Sequence, residues 1–242
     1  MPGIAIVADT HTHTVASPHA YGTIRENLDA ARRLGHRALA MTDHGPAIPD
    51  SPHLWHFSNM RILPREVDGV VLLRGIEANL MDRQGTLDVA DDLLRQLDWV
   101  IASLHPPVFP PSTPTDHTEA WLGVLANPWV DVLGHPGDPS YPCDYEAVVR
   151  ACGRAGTCIE INNGSFRVRP GSEPNCRTLA ALCARYGVPV VVSSDAHCPW
   201  DVGVVDQALA LLGSVGFPPE LVLNADADRL LAFIRAKRGG PR

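Results

Sequence analysis

The sequence has no paired cysteine spacing. Its six cysteines, Cys143, Cys152, Cys158, Cys176, Cys183 and Cys198, form no C-x-x-C unit. That spacing excludes the usual thiolate cage of a structural zinc, and free thiols in a cytoplasmic protein are the simplest reading. No apolar run approaches the roughly 18 residues of a membrane-spanning helix, so no membrane partner is expected. The opening Met1-Pro2-Gly3-Ile4 has no charged region ahead of a long apolar stretch, as a secretory leader would. Positive charge is not in excess either: 20 Lys and Arg stand against 27 Asp and Glu, a net −7. A nucleic-acid groove relying on diffuse positive potential is therefore unexpected. A small anionic substrate stays open, because bound metal ions would reverse the local sign. No linker breaks the chain, so residues 1–242 are read as one domain, and that length suits a large α/β fold.

What is present is a set of histidines and acids placed at the polar ends of apolar runs. Ile4 to Ala8 leads into Asp9-Thr10-His11-Thr12-His13, and Ala38 to Met41 into Thr42-Asp43-His44. Leu72 to Ile76 meets Glu77, Trp99 to Leu104 meets His105, Val130 to Gly134 meets His135, and Val190 to Ser194 meets Asp195-Ala196-His197. Imidazole and carboxylate are ligands for Zn, Mn or Fe.

Between these runs lie helical patterns. Thr23 and Glu26 form a capping box ahead of Leu28, Ala31 and Leu34, with Gly35 as the stop. Further patterns cover residues 88–97, 118–125, 145–155, 175–186 and 204–212, with a last short strand at 221–223 and a closing helix at 226–236. Taking His11, His44, Glu77, His105, His135, Asn162 and Asp195 as strand ends, the separations are 33, 33, 28, 30, 27 and 33 residues. A βαβ unit needs about 30. Seven such units can close into a TIM-like barrel, with the marked residues at its C-terminal mouth. An open doubly wound sheet would draw on only a few strand ends.

The two residues of His11-x-His13 fall on one side of a strand, as do those of Asp195-x-His197. Glu77 at the end of a buried strand needs a metal or an ion pair. His19, in the loop after the first strand, is open between ligand and surface residue from pattern alone. His36, His53, His56 and His117 read as solvated or loop-packing residues, and residues 237–242 as a frayed tail. Arg61 is a candidate for binding substrate phosphate, with Arg167 and Arg169 behind it. Asn162 and Asn163 suit substrate contact or loop capping.

These motifs, with Thr14 to Tyr21, Trp55 to Arg61 and Arg74 to Asn79, resemble the PHP (polymerase and histidinol phosphatase) superfamily along essentially the whole chain, and most closely its YcdX-type phosphatases. The resemblance implies the PHP fold, a distorted (β/α)7 barrel, and three divalent metal ions, most simply Zn, with Mn or Fe as alternatives. It further implies one metal on His11, His13, Glu77 and Asp195, a second on bridging Glu77 with His105 and His135, and a third on His19, His44 and His197. A metal-bridging water would attack the phosphoryl group, Arg61 would contact it, and Asp43 would orient a ligand from behind. The loop from Phe166 to Gly171 departs from the pattern.

The expected activity is hydrolysis of small phosphomonoesters. The alternatives are a PHP-type nuclease or phosphodiesterase acting on nucleic-acid ends, which needs a polymer groove, and a binding module that has lost turnover. An amidohydrolase barrel is a further alternative, but it typically carries a metal-bridging lysine at a strand end, and none stands at one here. The physiological ester and the oligomeric state are not legible.

Overall fold

The computed structural model describes residues 4–239. Its strands are β1 (Ala8–Thr12), β2 (Ala38–Met41), β3 (Glu66–Val67), β4 (Val70–Asn79), β5 (Trp99–Ser103), β6 (Val132–Leu133), β7 (Cys158–Asn162) and β8 (Val190–Ser193). Neighbours run β1-β2-β4-β5-β6-β7-β8, all parallel, and β3 pairs antiparallel with β4. The result is the expected seven-stranded, nearly closed barrel. β3 is an addition, folded back through Asp68 and Gly69, both at positive φ, as a two-residue hairpin with right-handed twist requires.

The helices are α1 (Ile24–Arg33), α2 (Leu54–Asn59), α3 (Asp91–Leu94), α4 (Pro114–Val124), α5 (Tyr145–Ala155), α6 (Ser165–Val168), α7 (Ser172–Tyr186), α8 (Asp206–Ser214) and α9 (Ala227–Lys237). The capping box of α1 forms as its sequence predicts, Thr23 accepting from the Glu26 N–H and Glu26 reaching back to the Thr23 N–H. Residues 88–97 give only the short α3. Asp88 is taken by Asn79, whose N–H and Nδ2 both donate to it, and by the Ala47 N–H.

Strand parity divides the core. One set of alternating positions, including Leu39, Leu72, Val100, Leu133, Ile159 and Val192, packs outward against the helices. The other, including Ala8, Ala38, Leu73, Ile101, Val132, Cys158 and Val191, forms the barrel interior, closed by Leu230 and Ile234 of α9. Following the inner parity toward the C-terminal ends replaces apolar groups with His44, Glu77, His105, Glu160 and Asp195. Two strands break parity, and each carries a backbone irregularity. In β1 the register shifts between Asp9 and Thr12, so a strand with Ala8 inside also turns His11 and His13 inside. After β6, His135 adopts φ 32°, a left-handed conformation costly for a non-glycine residue, which turns its ring inward.

The seam between β1 and β8 is not a regular ladder. At the top, the His13 N–H donates to Ala196 O at 2.8 Å beside a single Thr12–Ala196 bridge. Lower down, the side chain of Asn224 fills the gap: Nδ2 donates to Ala8 O (2.8 Å) and Val192 O (2.6 Å), and the Val192 N–H donates to Oδ1 (3.0 Å). The strand expected at 221–223 is therefore absent. Val222 makes an isolated bridge with Val190 between two 3-10 turns, Pro219–Leu221 and Leu223–Ala225. Pro218 and Pro219 cannot donate to a ladder, and the asparagine side chain stands in for one.

The expected tail is also corrected. Lys237 donates to Val130 O, and the Arg238 guanidinium, 3% exposed, binds both carboxylate oxygens of buried Asp131. Residues 240–242 lie outside the described residues. Among the described residues, no helix is long and apolar enough to cross a membrane.

Candidate metal centre

Eight of the nine predicted ligands converge at the mouth, and the ninth stands on its rim. Glu77 is central. Its Oε1 lies 2.9 Å from His135 Nε2, 3.3 Å from His105 Nε2 and 3.4 Å from His11 Nε2, while Oε2 lies 2.6 Å from His44 Nδ1 and 3.6 Å from His13 Nε2. Asp195, at φ 57°, places Oδ1 3.2 Å from His13 Nε2, 3.5 Å from His11 Nε2 and 3.6 Å from His197 Nδ1. Three groups have ligand atoms mutually within 4.8 Å: His11, His13 and Asp195; His44, Glu77 and His105; and His13, His44 and His197. His19 is exposed, its ring 4.5 Å from that of His197 and 5.1 Å from that of His44.

Several of these atoms have no hydrogen-bond partner although they are buried: both ring nitrogens of His44, Glu77 Oε2, His105 Nε2 and His197 Nε2. The close approach of His44 Nδ1 to Glu77 Oε2 is thus not aligned as a hydrogen bond. Orphaned buried donors and acceptors cost roughly 1–3 kcal/mol each, and here they point at one another. A borderline cation satisfies that arrangement, and this set of imidazole and carboxylate fits Zn, Mn or Fe.

The electrostatics agree. Burial, joined by His44 and His197, holds the His13 imidazole well below its ordinary value, and partial desolvation on the rim, with His197 and His44, lowers His19 to about 4. At His11 burial opposes protonation, yet Glu160, Asp195 and Glu77 together outweigh it and hold this imidazole well above the usual value. Burial would raise the carboxyls of Glu77 and Asp195. The surrounding imidazoles, with Arg169 beside Asp195, keep both well below the carboxylate range.

The supporting groups were mostly missed in the sequence. Glu160 accepts from His11 Nδ1 at 2.7 Å and from the His135 N–H at 2.6 Å. His105 Nδ1 lies 2.7 Å from Asn79 Oδ1, and Asn79 is held in turn by Asp88. Asp43 lies behind the predicted ligands, accepting from the Thr14 N–H, Thr14 Oγ1 and Ser17 Oγ. Ser17 Oγ accepts from the His44 N–H and lies 3.2 Å from His13 Nδ1. His56, expected to be a plain loop residue, lies within α2 and puts Nε2 3.1 Å from Asp43 Oδ2. Asn162 caps the following turn through Ser165 and donates to Asp195 Oδ2. One signal was available. Glu160 is a lone carboxylate inside the apolar strand Cys158–Asn162, the same costly burial that marked Glu77.

Two cavities flank the loop from Thr14 to His19. One, of about 590 Å³, exposes His19, His44, His105, Asp195 and His197, and carries Arg167 and Arg169. Arg169 donates to Asp195 Oδ2 (3.3 Å) and Ser165 Oγ and lies 3.4 Å from Asp138. Arg61 lines the other, of about 900 Å³, beside Trp55, His56 and Asn59, where none of the predicted metal ligands appears. The larger cavity is therefore not the one over the imidazole cluster.

Comparison with known proteins places this geometry. The PHP domain model matches residues 9–164, and the PHP-associated model residues 174–206. A protein of Shewanella sp. (strain MR-4) named "probable phosphatase" is 50% identical over 232 residues, 96% of this chain and 92% of that one. A probable phosphatase of Clostridium novyi (strain NT) is 44% identical, covering 96% and 95%. Among solved structures, histidinol phosphate phosphatase from Lactococcus lactis, complexed with Zn, L-histidinol and phosphate, aligns with a TM-score of 0.59 at 16% identity over 88% of this chain and 95% of that chain. A chain from archaeal ribonuclease P with mature tRNA aligns at 0.60 and 14% identity, covering 95% and 91%. At such identities these two show the fold alone.

Proposed function

Because this chain belongs to the PHP family, we propose that it is a metal-dependent phosphatase hydrolysing small phosphomonoesters at a centre of three divalent ions, Zn in the first instance. The observation that carries this reading is the set of orphaned imidazole and carboxylate atoms facing one another at the barrel mouth. His11, His13, Glu77 and Asp195 would hold one ion, Glu77, His105 and His135 a second, and His19, His44 and His197 a third. When bound, such ions act as Lewis acids on a phosphoryl oxygen and make water a nucleophile at neutral pH, so no side-chain nucleophile is required.

The chain's own groups do the rest. Arg167 and Arg169 line the cavity over the cluster and supply planar donors for phosphate oxygens, Arg169 already anchored by Asp138 and Asp195. This makes Arg169 the first candidate for the phosphate contact, and Arg61, in the neighbouring cavity, the second. Ile48, Pro49, Pro106 and Pro107 supply apolar walls that exclude water. A cavity of about 590 Å³ suits a small ester better than a polymer. Six unbridged cysteines support a reducing, cytoplasmic setting.

Steady-state hydrolysis of a chromogenic monoester and of single-stranded DNA, with metal content measured on the same samples, tests the reading. Monoester turnover that disappears on chelation and returns with Zn or Mn is expected, and Arg169→Ala should raise KM at unchanged metal content. DNA cleavage with negligible monoester turnover would overturn it in favour of the nuclease alternative.

A further inference from the structure

Glu160 contributes no ligand atom to any of the three groups above, yet it is 1% exposed and touches the cluster from behind. Four donors from four places in the chain converge on its two oxygens. Oε1 accepts from His11 Nδ1 (2.7 Å) on β1 and from Ser193 Oγ (2.5 Å) on β8. Oε2 accepts from the His135 N–H (2.6 Å) after β6 and from Asn162 Nδ2 (3.2 Å) on β7. A carboxylate offers about four lone-pair sites, and all are used, so the group is satisfied only as a carboxylate.

Two of those contacts fix predicted metal ligands by different means. A carboxylate beset by donors accepts only, so the His11 proton toward it sits on Nδ1. Nε2, where an incoming ion takes the place of a proton, then faces His13 Nε2 (3.1 Å), Glu77 Oε1 and Asp195 Oδ1. At His135 the contact is to the backbone. It holds the N–H of a residue strained at φ 32°, the conformation that turns this ring against Glu77.

We propose that Glu160 is a positioning residue of the metal centre: through one carboxylate it selects the Nε2 face of His11 and locks the left-handed turn of His135. This rests on the metal-centre reading above. Glutamine has the same shape but only one acceptor oxygen, so in Glu160→Gln an NH2 group must face either the His11 and Ser193 donors or the His135 and Asn162 donors. A carboxylate behind a metal-bound imidazole also raises ligand basicity, and losing such a partner typically costs about 10- to 100-fold in metal affinity.

The test is titration of the metal-free protein with Co2+, read by its visible absorption, with affinities from chelator competition and thermal unfolding of the metal-free protein alongside. In Glu160→Gln, the cobalt bands from ions on His11 and His135 should weaken about 10- to 100-fold in affinity, while an ion on His19, His44 and His197 remains. Ser193→Ala keeps the charge and removes one donor. It should fold and lose affinity only a few-fold. Wild-type affinity and spectrum in Glu160→Gln would overturn the inference, as would an unchanged Ser193→Ala if the glutamine variant does not fold. Wild-type protein that takes up no cobalt would overturn the metal-centre reading itself.

Discussion

Replacing Asn224 with alanine should open the barrel at the irregular seam between β1 and β8. Asn224 is fully buried, and its side chain serves Ala8 O, Val192 O and the Val192 N–H. Alanine leaves those three backbone groups unpaired between β1 and β8. Each buried, unsatisfied group costs roughly 1–3 kcal/mol, so a loss of about 3 kcal/mol is the low end, a large share of a typical folding free energy of about 5–15 kcal/mol. For a chain of this size 1 kcal/mol shifts the melting temperature by roughly 2–4 °C, so Asn224→Ala should melt roughly 6–12 °C lower. Asn224→Asp is the sharper variant, because it points a charged acceptor at two carbonyl oxygens and should be worse than alanine at neutral pH. Since β1 leads to His11 and His13 and β8 to Asp195 and His197, metal uptake should weaken in step. Urea unfolding of the metal-free proteins, with thermal melts and zinc content, gives all three quantities. A destabilisation below about 1 kcal/mol for alanine, or an aspartate variant as stable as wild type, would refute the seam as the structural keystone of these two strands.

Three further outcomes are expected. His11→Ala and Asp195→Asn should each lower phosphatase activity by about 100-fold or more while the metal-free melting temperature falls only a few degrees, since each removes a proposed ligand but little core; near-wild-type turnover at full metal occupancy would remove that residue from the site. Because Glu160, Asp195 and Glu77 outweigh burial to hold the His11 pKa well above its ordinary value, an incoming ion must displace a proton there. Zinc affinity should therefore fall as pH drops through neutrality, by up to about tenfold per unit, and a pH-independent affinity between pH 6 and 8 would contradict it. Burial works to raise the Asp43 carboxyl, but hydrogen bonds from His56 and Thr14 and the nearby His13 outweigh it and lower this group from 3.8 to about 2. Its folded pKa being depressed, the associated stability of about 2 kcal/mol is complete above about pH 4 and lost as pH falls toward 2. Asp43→Asn should flatten that limb of an acid-unfolding curve.

Much of the site was legible in one dimension because a parallel barrel repeats one rule. Each strand is apolar where helices cover it and turns polar where it reaches the mouth, so residues such as His44, Glu77, His105 and Asp195 announce themselves at roughly 30-residue intervals. Inner-face parity then accounts for their convergence without long-range information. The same local logic found the α1 capping box. It failed where a residue's partner lies far along the chain. A strand at 221–223 is the sensible reading of Leu-Val-Leu, but Asn224 competes for the adjoining strands' backbone. Lys237 and Arg238 look like a solvated tail until Val130 and Asp131, 107 residues away, arrive beneath the barrel.

The sequence by itself determined the fold class and which side chains meet, because hydrophobic periodicity and ligand chemistry are properties of short segments. Only the tertiary structure decided how they are held: the register shift that turns His11 and His13 inward, the strained backbone of His135, the Glu160 carboxylate shared by β1, β6, β7 and β8, and the cavity that receives Arg169 rather than Arg61. Each depends on the distance and direction between groups separated by tens to nearly two hundred residues. Barrel closure sets those distances, and no local pattern encodes them.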